Sequence, residues 1–165
     1  MENILVTLVC ITMLIVGVVT IASDSFSSID RLIYAWKDEE SLINNMRNTA
    51  ITSVSSNVTS EGNRLEIVVK NDGQTDLANF KRWDVLVRYQ DGSAQWLPYT
   101  TDTPGWTVGG IFLSGKPEIY EPNIFNPMET MKLVLNLSSP VSENTTNLAS
   151  ISTPNGVNTE ITFGH

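Results

Sequence analysis

The sequence predicts an α+β chain, a long N-terminal hydrophobic α-helix followed by an antiparallel β-sandwich. Three observations carry this. Residues 4–22 contain no ionisable side chain apart from Cys10. An apolar helical pattern then runs on to about residue 47 with no proline before Pro98. Beyond residue 50 the composition turns to Thr, Ser, Val and Asn, and the hydrophobic period changes from 3.6 to two.

The apolar run is long enough to cross a bilayer as a helix, at ~1.5 Å per residue against a hydrocarbon core of ~30 Å. A secretory signal peptide carries Lys or Arg ahead of its apolar region. Here only Glu2 precedes it, and the first basic residue is Arg31. Phe26, Ile29, Ile33, Trp36, Ile43 and Met46 continue one apolar stripe, with Asp30, Lys37, Asp38 and Arg47 assigned to other faces. Only Gly17 interrupts the helix propensity, so one helix is predicted over residues 3–47, about 65–70 Å long. Such a helix cannot bury its stripe on one small domain; it needs copies of itself or a membrane. The predicted organisation is a helical segment over 1–48 and an exported sandwich over 49–165, with 48–50 as a hinge.

In the second segment Leu65, Ile67 and Val69 alternate with Glu66 and Val68. Trp83, Val85, Val87 and Tyr89 alternate with Asp84, Leu86 and Arg88, and Leu133, Leu135 and Leu137 with Val134 and Asn136. Val157, Ile161 and Phe163 share one face. Each pattern is a strand with one side inward. Asn71-Asp72-Gly73, Asp91-Gly92, Pro104-Gly105, Asn126-Pro127 and Pro154-Asn155-Gly156 read as turns, with Asp91-Gly92 the strongest hairpin signal. Seven or eight short strands over this length fit an immunoglobulin-like sandwich or a small barrel.

The chemistry legible here is sparse. A formal net charge of −8 argues against nucleic acid as a partner, because phosphate binding needs a basic face. Cys10 is the only cysteine, which excludes an internal disulfide, and His165 is the only histidine. One His and one Cys do not build a zinc site. Asp72, Asp76, Asp91 and Asp102 read as turn formers rather than calcium ligands. Residues 110–116 match the first seven places of a phosphate-binding loop, but Pro117 replaces the Ser or Thr that would hold magnesium. Pro117, Pro122 and Pro127 also forbid the helix that should follow, so the stretch reads as a strand ending in a turn. No catalytic constellation and no cofactor site emerge. Three Asn-x-Ser/Thr sequons begin at Asn57, Asn136 and Asn144 and suit N-glycosylation on an exported surface.

Residues 1–9, Met-Glu-Asn-Ile-Leu-Val-Thr-Leu-Val, resemble a mature archaellin or type IV pilin-like start. The run Val69-Lys70-Asn71-Asp72-Gly73-Gln74-Thr75, followed by Phe80-Lys81-Arg82-Trp83-Asp84-Val85, is similar to the strand, turn and Trp-Asp strand of the archaellin domain. The closing stretch from Gly156-Val157 to Ile161-Thr162-Phe163 extends the likeness over nearly the whole chain. Bacterial type IV pilins carry Glu at the fifth mature position, where this chain has Leu5, which favours archaellins. The resemblance implies a structural filament subunit of an archaellum, not an enzyme. It implies a leader removed by a prepilin-type signal peptidase and storage of the precursor in the membrane. Addition to the filament would occur at an assembly platform driven by a separate motor ATPase. The helices would then form the filament core of a helical homopolymer for motility. On this reading the assembly interface comprises Ile4, Leu5, Leu8, Ile11, Ile15, Gly17 and Val18, then Phe26, Ile29, Ile33, Trp36 and Ile43. Small residues at Thr7, Thr12, Gly17, Thr20, Ala22 and Ser23 would let neighbours approach. A minor envelope-anchoring protein of stator type, pseudopilin-like, and an adhesive pilin share the same layout.

Overall fold

The computed structural model describes residues 2–164, except for the side chains of Glu2 and Leu5. Met1 and His165, named above as the mature start and the sole histidine, lie outside the described residues. The chain forms two compact units, Met1–Ile43 and Asn44–His165.

A single helix, α1, runs over Glu2–Asn48 and ends with Arg47 in its last turn, where a cation meets the negative end of the helix dipole. Thr7, Thr12 and Thr20 donate their hydroxyls to the carbonyls of Asn3, Leu8 and Val16, at 2.8, 2.6 and 2.8 Å. Their polar atoms are thus satisfied inside the helix, which suits an apolar surrounding.

The second unit holds nine strands in two antiparallel sheets. They are β1 (Ile51–Thr59), β2 (Arg64–Asn71), β3 (Asp84–Arg88), β4 (Ala94–Leu97), β5 (Gly105–Leu113), β6 (Lys116–Pro117), β7 (Thr130–Asn136), β8 (Thr146–Ser152) and β9 (Asn158–Gly164). One sheet has the order β1-β2-β7-β5-β6 and the other β4-β3-β8-β9. The alternation read from sequence lands where expected: Leu65, Ile67 and Val69 of β2 and Leu133 and Leu135 of β7 are fully buried. They face Val85 and Val87 of β3 and Ala149 and Ile151 of β8 across a shared core. Along one side β1 and β9 meet, and the Ser53 hydroxyl donates to the Glu160 carbonyl at 3.1 Å.

Asp91-Gly92 turns β3 into β4, with Gly92 at φ 87 and its N–H donating to the Tyr89 carbonyl at 3.0 Å. The phosphate-loop look-alike is the end of β5, a turn at Ser114-Gly115, and the two-residue strand β6. Its backbone amides enter a β ladder rather than a helix N-terminus, the geometry that phosphate cradling requires.

Candidate assembly interface

Residues 48–50, expected as a hinge, are tied into the sandwich. The Gln74 N–H donates to the Asn48 carbonyl at 2.7 Å, and the Asp72 and Gly73 N–H groups both donate to the Ala50 carbonyl, at 2.9 and 3.1 Å. Thr49 is buried; its hydroxyl donates to the Asn45 carbonyl at 2.7 Å and accepts from Asn155 Nδ2 at 2.6 Å. The helix-terminal carbonyls that lack intrahelical partners are therefore satisfied by the Asn71-Asp72-Gly73-Gln74 turn. That turn is itself braced. Asn71 is fully buried, and its Nδ2 donates to the carbonyls of Thr75 and Phe125 at 2.9 Å each, while its Oδ1 accepts from the Gly73 N–H at 3.0 Å. A Cβ on Gly73 would stand 2.5 Å from the Asn48 carbonyl oxygen and from the Ala50 nitrogen, so only glycine fits. Met46, at the end of the apolar stripe, reaches the β8–β9 turn beside Gly156. Sequence reading located this turn but not its role as the socket for the helix end.

The predicted interface residues Ile4, Leu8, Ile11, Ile15, Val18, Phe26, Ile29, Ile33, Trp36 and Ile43 all lie on α1, with exposures between 43% and 74%. Spaced by the helical repeat, they fall within an arc of about 100°. Leu5, also predicted here, has its side chain outside the described residues. Gly17 departs from the stripe. It sits roughly 140° around the helix from the stripe's centre, in a shallow concavity lined by Val9, Thr12, Met13 and Val16. A Cβ at Gly17 would meet nothing within 4 Å, so the glycine leaves an open notch rather than relieving a clash. The helix thus presents two distinct apolar faces, a ridge of large side chains and a notched face behind it. Its most apolar 18-residue window has a mean hydropathy of 2.5, and none of that window is buried.

The Trp83-Asp84 pair that carries part of the resemblance splits across the sheet. Trp83 points inward, packs edge-on against Phe80 at 5.5 Å between ring centroids, and donates its indole N–H to the Ala78 carbonyl at 3.2 Å. Asp84 points outward and accepts from the indole of Trp96 at 3.2 Å.

The three sequon asparagines differ. Asn57 on β1 and Asn144, at φ 55 ahead of β8, are exposed. Asn136 is half-buried at the end of β7 and donates its amide to the Thr101 carbonyl at 3.3 Å. Among the described residues no group of three His, Cys, Asp or Glu side chains is placed to hold a metal ion. Asp72 pairs with Lys70, Asp91 caps its own turn through the Ser93 N–H at 2.8 Å, and Asp102 accepts from the Thr100 hydroxyl at 3.1 Å. Glu66 pairs with Lys132 at 3.1 Å, and this contact holds its carboxyl below the ordinary range. Glu129 is the buried acid: burial pushes its carboxyl up, against the Asn126 N–H that it accepts at 2.6 Å, and nearby Glu118 adds to the rise.

The sequence matches no family model and no curated protein. Solved structures do resemble it. The archaellum periplasmic stator protein FlaG from Sulfolobus acidocaldarius is 26% identical over 70% of this chain and 99% of that one, with a TM-score of 0.57. The FlaF–FlaG stator complex of the same organism gives 25% identity over 68% and 87%, with a TM-score of 0.56. The archaeal flagellum of Methanospirillum hungatei strain JF1 aligns over 95% of this chain and 92% of that one, at 15% identity and a TM-score of 0.57. This last likeness is one of fold.

Proposed function

We propose that this archaellin-like chain is a structural subunit of an archaellum filament, polymerising through α1 for motility. The observation that carries the reading is the exposed apolar ridge that persists from Ile4 to Ile43, well past the length a bilayer covers. A membrane shields only about its first 20 residues. The remainder, with Phe26, Ile29, Ile33 and Trp36, is left to be covered by other helices.

Two unlike faces on one helix suit a heterologous contact, ridge of one copy into notch of the next. Repeated without closing, such a contact generates a helical polymer. Leaving lipid for a bundle exchanges one apolar environment for another, so side-chain packing decides the balance. The notch at Gly17 then lets two backbones approach. Before assembly the precursor sits in the membrane through α1; afterwards the sandwich faces the exterior. A prepilin-type signal peptidase, an assembly platform and a motor ATPase would be its partners, and the role is not catalytic.

A second reading is favoured by a specific observation. The identities of 26% and 25% are to stator proteins, and FlaG is covered almost completely. On that reading the same helix anchors a minor component of the archaellum in the membrane, and the sandwich docks to other envelope proteins. A test of helix-driven polymerisation separates the two. Chain purified in detergent should form filaments on detergent removal, whereas a chain lacking residues 2–43 should stay monomeric. The deletion leaves every core residue in place, since all of them lie between Ile51 and Phe163. Full-length chain that remains in small discrete assemblies would favour the anchoring role.

A further inference from the structure

Beside the short 3₁₀ turn Phe80–Arg82 the sandwich carries an open pocket of about 600 Å³. Asn79, Phe80, Lys81, Arg82, Tyr99 and Asn123 line it, and none of its lining residues is acidic. In a chain of net charge −8, Lys81-Arg82 is the only place where two basic residues are adjacent. Both are exposed, and neither forms an ion pair among the described residues, where Arg64, Lys70 and Lys132 do. Asn79 sits in the left-handed region, at φ 56 and ψ 48, and spends no side-chain hydrogen bond on capping the turn.

The turn is held from below. Phe80 and Trp83, its first residue and the one after it, are buried and pack against each other edge-on. Tyr99 backs onto the buried Trp106 at 4.9 Å, edge to face, and Trp106 lies 6.5 Å from Trp83. The two cations are therefore presented on an aromatic base rather than on a free loop, which lowers the ordering cost of binding.

We propose that this pocket binds an acidic saccharide, a sugar bearing a carboxylate or sulfate group. The planar guanidinium of Arg82 and the ammonium of Lys81 pair with the acid group through charge-assisted hydrogen bonds. The amides of Asn79 and Asn123 supply both donors and acceptors, which match sugar hydroxyls. Tyr99 adds a ring and a phenolic hydroxyl. An acidic peptide would call instead for a sheet edge or for deep apolar subsites, and the chain's net charge disfavours nucleic acid.

The test uses the full chain in detergent micelles, with calorimetry and tryptophan emission as readouts; Trp83 and Trp106 lie behind the pocket. The probes are a galacturonic acid trisaccharide, a sulfated galactose trisaccharide, an uncharged galactose trisaccharide and triglutamate. At least one acidic trisaccharide should bind, and whichever binds identifies the acid group. The uncharged sugar and triglutamate should each bind at least about tenfold more weakly. Lys81→Gln and Arg82→Gln, both at exposed positions, should each weaken binding about tenfold while leaving thermal unfolding unchanged. No binding by either acidic trisaccharide would overturn the proposal. So would triglutamate binding as well as the sugars, or affinity unaffected by Arg82→Gln in a folded chain.

Discussion

Asn155 donates its side-chain amide to the hydroxyl of Thr49 at 2.6 Å, across 106 positions of sequence, and so joins the β8–β9 turn to the first residue beyond the helix. Thr49 is buried and Asn155 half-buried, so removing either partner strands a polar atom away from water. Thr49→Val and Asn155→Ala should each lower the unfolding free energy by about 1–2 kcal/mol. Both should also speed hydrogen exchange at the Gly73 and Gln74 amides, which bond to Ala50 and Asn48. Unchanged exchange at those amides would show that the contact does not brace the helix end.

Gly73 gives a sharper version of the same test. Its added Cβ would overlap backbone atoms of Asn48 and Ala50, which cannot rotate away. Gly73→Ala should cost about 2–3 kcal/mol in urea unfolding, in the range of other overpacking substitutions. Gly17→Ala, where the new Cβ meets open space, should leave the stability of the sandwich as it is.

Glu129 sets a pH dependence with a definite sign. The folded chain holds its proton more tightly than the unfolded chain does. Its contribution is therefore complete below about pH 4.5 and is lost as the pH rises from there through the raised folded value. Glu129→Gln keeps an oxygen to accept from Asn126 and carries no charge. The variant should melt higher than the parent above that window, and the difference should vanish at acid pH. Glu66 works in the opposite sense. Its stabilisation by Lys132 is present above about pH 4.5 and fades on acidification through its lowered value.

Glycan occupancy, if the chain is exported as proposed, should follow the environment of each asparagine. Asn57 and Asn144 are exposed, whereas the amide of Asn136 is half-buried and committed to Thr101. Glycopeptide mass spectrometry of native material should find sugar at Asn57 or Asn144 in preference to Asn136. Predominant modification of Asn136 would contradict this.

Gly17→Leu tests the two-faced helix. The substitution fills the notch among Val9, Thr12, Met13 and Val16 but touches nothing in the sandwich. It should abolish filaments while the sandwich melts at its usual temperature. Normal filaments from this variant would remove the notched face from the interface and leave the ridge alone.

The parts of the fold legible in the sequence were those where one physical demand dominates. The uncharged run and its stripe fix α1 almost to the residue, because only a helix satisfies its backbone in lipid. Strands β2, β3 and β7 announce themselves through clean alternation, with Leu65, Val85 and Leu133 facing inward. Strands β1 and β8 do not: Ile51–Thr59 and Thr146–Ser152 are rich in Ser, Thr and Asn, and their outer faces are hard to distinguish from a loop. Two adjacent glycines, Gly109 and Gly110, obscure β5 and mark its irregular pairing with β7. The socket for the helix end was invisible for a different reason. It is built from Asn71, Gly73 and Asn155, three turn residues whose meeting with Thr49 depends on tertiary contacts. Gly17 was grouped with the ridge because small residues in apolar helices suggest close approach; its angular position puts it on the other face.

Electron microscopy with quantitative mass spectrometry of filaments sheared from native cells tests the central claim most directly. The filament-subunit account predicts this chain as the dominant protein of the filament, with α1 in its core. A chain that is absent or present in traces there, and recovered instead from the cell envelope, would contradict that account and assign it the anchoring role.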